Sequence, residues 1–332
     1  MMRRDEERIY KVLFSIVKEY IKTKKPVSSK RVLQVTNLNW SGATVRNDMK
    51  RLEEMGYIFQ PHTSAGRIPT DKGLRFYLNE VVKLGKKEKE QVELEATQRF
   101  PMGDLDSILS AISKILSKGT GGLSIVTKPN MENLKLLKGY VTPVGEDMAV
   151  ITVVTELGIS KVVPISRVDK RMLGALEKLM NLFSGMYISD VMTKIENFKP
   201  KGREEESFIE LTKGIFRLML SEDRIIYSGM YEIVKNKAGK IEPLIKVLET
   251  PRTLDKLFKK VKRGLVVFIG EENPIKELKN FSTFVVPYYK GRDLVGHIAL
   301  ITDKFVEYGR IVSSVEFIAN RLTEYLTVTS RR

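Results

Sequence analysis

The chain has 332 residues, 42% of them apolar, and a formal charge of +16 from 57 Lys and Arg against 41 Asp and Glu, which suits a folded basic protein of two or three domains. It has no cysteine and only two histidines, His62 and His297, which excludes disulfides, thiol nucleophiles, zinc ribbons and multi-histidine metal sites. No apolar run approaches the roughly 18 residues of a membrane span, and MMRRDEER opens onto an amphipathic pattern instead of an apolar signal core, so a cytoplasmic protein without membrane contact is expected.

The positive charge is uneven. Residues 1–90 hold 20 Lys and Arg against 11 Asp and Glu, and the other 242 hold 37 against 30, so the excess is densest at the N-terminus, where a polyanion-binding module would need it. Ile9, Leu13, Ile16, Val17 and Tyr20 recur at helical spacing and predict an amphipathic helix over 5–22, broken by Lys24, Lys25 and Pro26. Ser28 or Ser29 caps a second helix running to about Thr36. A turn over Asn37 to Trp40 follows, with the indole packed between helices. Ser41 then caps a third helix, which ends near Gly56. Its Val45, Met49 and Leu52 follow 4 and 3 spacing and face the core. That leaves Thr44, Arg46, Asn47, Lys50 and Arg51 on other faces.

Arg forks onto guanine and Asn onto adenine, so Arg46 and Asn47 are the leading base readers of a helix seated in a major groove. Tyr57 to Gln60 predict a short strand, and Pro61 and Pro69, lacking amide donors, bound the loop after it. His62, Ser64 and Arg67 offer donors near the loop tip, and small residues between them let backbone approach phosphate. Thr70 caps a fourth helix, with Asp71 at its positive end and Leu74, Tyr77, Leu78, Val81 and Val82 on its apolar face. Helix, strand and loop in this order read as a winged helix-turn-helix. Its DNA-binding candidates are Ser41, Thr44, Arg46, Asn47, Lys50, Arg51, His62, Ser64 and Arg67.

Residues 85–100, opening with GKKEKE, read as a charged and partly helical linker. Leu105, Ile108, Leu109, Ile112 and Leu116 mark a helix. Strands are predicted at 122–127, 136–142, 148–155 and 159–165, and again at 264–270, 283–289 and 294–301, before a helix over 304–328. Between them the pattern is mostly helical, at 169–184, 187–196, 203–220 and 251–262, with a short strand pair near 225–235. A helical block between two sets of strands looks like an insertion in a sheet domain, giving an α+β multidomain chain. GEEN at 270–273 follows an apolar strand and reads as a loop or cap; the rival reading is a catalytic carboxylate site. The run EEE at 204–206 reads as a helix N-terminus. No nucleophile–base pair, metal set or dinucleotide fingerprint is present, so no catalytic residue, metal or cofactor is expected.

The chain closely resembles the HrcA family of heat-inducible transcription repressors. PVSSKRVL at 26–33, ATVRNDMKRLEEMGYIFQPHTSAGRIPTDKG at 43–73 and RFYLNEVV at 75–82 carry the resemblance, and QPHTSAGRIPTDKG at 60–73 is its most specific part. Weaker similarity continues in LKGYVTPVG at 137–145, VVTELGISKVVPI at 153–165 and IGEENPIKEL at 269–278. The resemblance implies a winged helix-turn-helix over 1–90 and a GAF-like α/β sheet domain over 91–165 and 263–332. A mostly helical dimerisation domain would be inserted at 166–262. It further implies a homodimer on an inverted-repeat operator in double-stranded DNA, release on heat stress, and a GroEL-type chaperonin partner. The alternative is a ligand-sensing regulator with a small molecule in the GAF-like domain. One departure stands out: TDKFVEYGR at 302–310 occupies the place of the family's usual GPxRMDY-like stretch, so the resemblance assigns that surface no role.

Overall fold

The computed structural model describes residues 4–36, 40–63, 65–84, 104–220, 225–236 and 241–329. An N-terminal head is built from α1 (Arg4–Thr23), α2 (Ser29–Thr36), α3 (Gly42–Glu54), a hairpin of β1 (Ile58–Phe59) and β2 (Ile68–Pro69), and α4 (Asp71–Leu84). The apolar stripes meet as their spacing requires. Ile9, Leu13, Ile16 and Val17 of α1 pack with Val32 of α2 and Val45, Met49 and Leu52 of α3, all buried. The Ser28 hydroxyl accepts from the Arg31 amide at 3.2 Å, and the Ser41 hydroxyl accepts from Thr44 at 3.0 Å, satisfying orphan amides of α2 and α3. α3 stops where Gly56, at φ +76°, donates to the Glu53 carbonyl while Tyr57 donates to that of Leu52. These two bonds form a left-handed C-terminal cap.

After the head come α5 (Leu105–Thr120) and β3 (Leu123–Thr127), then β4 (Leu136–Pro143), β5 (Met148–Thr155) and β6 (Ser160–Ser166). The helices α6 (Lys170–Phe183), α7 (Ile188–Asn197) and α8 (Arg203–Leu220) follow. The chain continues through β7 (Ile225–Ser228), α9 (Met230–Lys235), α10 (Glu242–Glu249) and α11 (Asp255–Phe258). It ends with β8 (Val266–Ile269), β9 (Phe281–Lys290), β10 (Asp293–Asp303) and α12 (Tyr308–Thr329).

The strands divide into two larger sheets. One is antiparallel with order β7-β3-β10-β9-β8, and the other has order β4-β5-β6. β9 and β10 are buried almost continuously, because α5, α12 and the head cover one face of the sheet and α9 to α11 the other. The three-stranded sheet has its own core with α6, α7 and α8, centred on Ile151, Val153, Leu176, Met180 and Phe216. Among the described residues no helix is long and apolar enough to cross a membrane.

Three sequence expectations change. The strands predicted at 136–142, 148–155 and 159–165 form a sheet of their own and pack with the three helices after them, instead of joining the five-stranded sheet. Alternation of apolar residues marks a strand but does not say which sheet it joins. Only the first half of the pair expected near 225–235 is a strand, since β7 pairs with β3 and Gly229, at φ +107°, turns the chain straight into α9. The helix expected over 251–262 is a 3-10 turn, Pro251–Leu254, followed by the short α11, and α10 before it was not foreseen. The linker over 85–100 lies outside the described residues.

One ionic contact was also unforeseen. Asp48 in α3 is 2% exposed, and Arg8 of α1 donates to it from Nε at 2.8 Å and Nη2 at 3.2 Å. That hydrogen bond raises the guanidinium's hold on its proton. Removing one partner of a buried pair strands the other. Arg8→Ala should therefore lower unfolding free energy by about 3 kcal/mol, the low end for such pairs because Arg8 is partly solvated. Arg8→Met with Asp48→Leu should cost less than the single change, as read from urea midpoints.

Candidate nucleic-acid interface

The solvent face of α3 gathers most of the residues singled out by sequence. With Val45, Met49 and Leu52 turned inward, Arg46, Asn47, Lys50 and Arg51 are exposed, on the side opposite the core. Arg46 and Arg51 have no carboxylate partner among the described residues. Lys50 makes only a 4.0 Å contact with Glu54 across an exposed turn. A helical side chain leans toward its own N-terminus, and the Arg46 guanidinium does so, coming within 3.8 Å of where a Cβ would sit on Gly42. Ser41 and Thr44 lie at that same end, their hydroxyls 2.8 Å apart, with Ser41 engaged as the cap. Their first duty is to start the helix. The result is a helix end presenting a guanidinium, a carboxamide and an ammonium to solvent, donors suited to base edges and phosphates.

The hairpin differs from its sequence reading. β1 pairs antiparallel with β2, Ile58 opposite Pro69 and Phe59 opposite Ile68, so Pro69 is inside a strand. A two-residue ribbon edge tolerates it, since the missing amide faces away from the ladder. Arg67 is not a tip donor. Its side chain is 19% exposed, its Nη2 lies 2.9 Å from Glu53, and its backbone exchanges hydrogen bonds of 2.8 and 2.9 Å with Val27. It fastens the hairpin to Val27, two residues before α2. The small residue at Gly66 serves the same joint: a Cβ there would lie 2.5 Å from the Val27 carbonyl carbon.

His62 and Thr63 are exposed at the tip, and Ser64 lies outside the described residues. Gln60, missed in sequence, braces the loop by donating from Nε2 to the carbonyls of Thr63 at 2.8 Å and Ala65 at 3.0 Å. Lys25 and Lys30, also missed, are exposed on either side of the Val27–Arg67 bridge, so the hairpin base has cations next to it. Their only sequence signal was composition. Trp40 packs partly buried against the head core.

Elsewhere, no group of three or more His, Asp or Glu among the described residues is placed to hold a metal ion. The GEEN loop is structural. Asn273 donates to the carbonyls of Gly270, Leu278 and Phe281, and Glu272 accepts from the Ile269 amide at 2.8 Å. A cavity of about 220 Å³ lies where α5 and β3 meet the β5–β6 turn, lined by Asp106, Lys128, Met131, Ile159, Lys161 and Met219 among others. Lys128 there is held by Asp106 at 2.6 Å. Burial, and then Lys128, push the Lys161 ammonium pKa down.

A family model described as HrcA protein C terminal domain matches residues 106–312. The chain is 39% identical to the heat-inducible transcription repressor HrcA of Thermotoga maritima, over 100% of this chain and 97% of that protein. It is 30% identical to the protein of the same name from Lachnoclostridium phytofermentans, over 96% of this chain and 97% of that one. Among solved structures it is similar to a crystal structure described as a hypothetical protein at 2.2 Å resolution, with TM-score 0.73, 36% identity and coverage of 97% of this chain and 98% of that one.

The Gly66 contact predicts its own test. Gly66→Ala should destabilise the protein by about 1–3 kcal/mol, the range for forcing a methyl into a filled space. The same change at Gly56, where φ is positive and nothing lies within 4 Å, should cost only its backbone strain. Equal urea midpoints for Gly66→Ala and the parent would show that the hairpin base yields freely.

Proposed function

The chain belongs to the HrcA family of heat-inducible transcription repressors, and from that premise we propose that it is a dimeric, sequence-specific repressor of chaperone operons. In this reading the head is a winged helix-turn-helix. α3 enters the major groove, Arg46 and Asn47 read bases, and Lys50 and Arg51 meet phosphates beside Ser41 and Thr44. The hairpin is the wing, with His62 toward the DNA backbone, and Arg67 supports it from within. The observation that carries the reading is the exposed Arg46, Asn47 and Lys50 surface on a helix whose other side is fully packed.

One head covers one half-site, so a two-fold pair of chains suits an inverted repeat. The three-stranded unit supports pairing there. Its outer face sets Tyr140 beside Thr152 and Val162 in register, and Tyr140 and Val162 are 50% and 62% exposed. The sheet domain is the GAF-like part of this reading, and a GroEL-type chaperonin keeps the repressor competent in the cytoplasm. Heat would act by uncoupling the two heads: once their spacing is no longer fixed, two coupled contacts become two weak ones. A second reading places a small molecule in the cavity near Lys128 and Lys161, and a metabolite-dependent melting shift would favour it.

The deciding experiment is a gel shift on an inverted-repeat duplex against a scrambled one, with and without chaperonin; equal retention of both duplexes would end the repressor reading. Arg46→Ala should weaken specific binding by about 1–3 kcal/mol and relax preference at one base pair. If 6–10 phosphates are contacted, affinity should fall roughly 10³–10⁵-fold between 50 and 200 mM salt.

A further inference from the structure

The segment TDKFVEYGR, to which no role could be assigned from sequence, and residues 267–272 together form the place where the head docks onto the five-stranded sheet. Three polar ties cross this joint. At the end of α1, Lys24 Nζ lies 3.0 Å from Asp303 and also donates to the Phe305 carbonyl. At the start of α4, Asp71 accepts from Lys304 Nζ at 2.7 Å and from the Glu271 amide at 3.1 Å. One turn further, Arg75 forks onto Glu272, 2.9 Å from Nε to Oε1, and donates to the Val267 carbonyl at 2.5 Å. Gly270 has no side chain in the way: a Cβ there would overlap the Asp71 carboxylate. Tyr20 packs edge-on to Phe305 at 4.7 Å, and Tyr77 to Tyr308 at 6.5 Å.

We propose that these ties make Lys24, Asp71 and Arg75 positioning residues, which hold the head at one orientation on the sheet and thereby set the spacing that two paired heads present to DNA. The inference rests on the repressor reading for its DNA consequence and on geometry alone for the orientation. Two ends of the head are fastened, the α1 end and the α4 start. Ties at separated points block rotation as well as translation, which one salt bridge does not.

The signs specify register. Asp303 and Lys304 are sequence neighbours with opposite charges, and each takes the complementary head residue. A head rotated to exchange them would set Lys24 against Lys304 and Asp71 against Asp303, so repulsion disfavours the alternative. Both Glu272 and Asp303 are also held by their own backbone, Glu272 by the Ile269 amide and Asp303 by that of Phe305 at 3.2 Å. The acceptors are therefore fixed before the head arrives.

The test uses the full chain and a duplex that the wild-type protein selects from a random pool. Affinity is measured for the whole inverted repeat, for one half-site, and for repeats with added base pairs between half-sites. Arg75→Glu should weaken whole-repeat binding roughly a hundredfold and flatten the spacing preference while half-site affinity stays within about twofold. Glu272→Arg alone, on the sheet side of the same joint, should do the same. The double reversal regains the ion pair but not the bonds to the Val267 carbonyl and the Ile269 amide, so it should recover roughly tenfold of the lost whole-repeat affinity and restore the spacing optimum. Unchanged spacing profiles in both single variants, tighter whole-repeat binding, or failure of the double to restore would each overturn the proposal.

A second measurement is independent of DNA. The chain has no cysteine, so Thr63→Cys and Lys260→Cys place spin labels cleanly on head and sheet domain. In labelled protein diluted with unlabelled chains, a single narrow distance should broaden with Arg75→Glu and narrow again in the double reversal. A distribution that stays narrow in Arg75→Glu refutes the positioning role. A wild-type protein that selects no duplex, yet shows this broadening and rescue, refutes the repressor reading alone.

Discussion

Tyr308 is fully buried where the head, the sheet and the last helix meet. Its ring lies 6.5 Å from Tyr77 of α4 and 5.8 Å from Phe284 of β9. Its hydroxyl donates to the Lys304 carbonyl at 2.6 Å, so the 2.7 Å contact with Ser282 takes the serine proton. Both hydrogen-bonding roles of the phenol are filled inside the protein, which is what its burial requires. Burial pushes its pKa up, so it stays a neutral donor. The same cluster contains α1 and α3 at one end and β10 and α12 at the other. The head therefore has no core separate from the sheet.

Magnitudes separate strength from register in that joint. The six charged side chains of the three ties are 22–47% exposed. Partly solvated pairs of this kind contribute about 0–1 kcal/mol each. A fully buried aromatic side chain contributes roughly 1.5–3 kcal/mol by transfer alone. Tyr308, Tyr77 and Phe284 therefore supply the adhesion, and the charges add direction to it. Charge has the opposite use on α3, where Arg46 and Arg51 have no acidic partner among the described residues. An unpaired exposed cation adds nothing to the fold and stays available to a polyanion.

The head was the part most legible in sequence, because its signals are local. Ser41 caps, Gly56 stops, and Val45, Met49 and Leu52 recur at one helical face, so each element can be read from its own residues. The Arg67 reading failed for the complementary reason. Nothing within Gly66 and Arg67 shows that Val27, some forty residues earlier, pairs with the Arg67 backbone and packs on Gly66. The same blindness hid Asp48, which looks like one more polar residue of α3 until Arg8 is brought beside it. It also assigned β4, β5 and β6 to the wrong sheet, since their alternation is the same whichever helices cover them. At TDKFVEYGR the resemblance assigned the surface no role, and only the fold supplies Lys24 and Asp71 as partners of Asp303 and Lys304.

These contacts constrain where temperature can act. The hydration of charged groups weakens on heating, so the desolvation cost of an ion pair falls and its net contribution holds or grows. Apolar burial does not fade over the same range either. A joint made of aromatic packing and three charge ties is thus a poor thermometer, and so is the Arg8–Asp48 clasp inside the head. Association between chains behaves differently, because it loses translational freedom and depends on concentration. If two heads act together, the step most exposed to warming is the contact that pairs the chains. The head would then leave its operator still correctly folded and still correctly oriented on its own sheet, having lost only its twin.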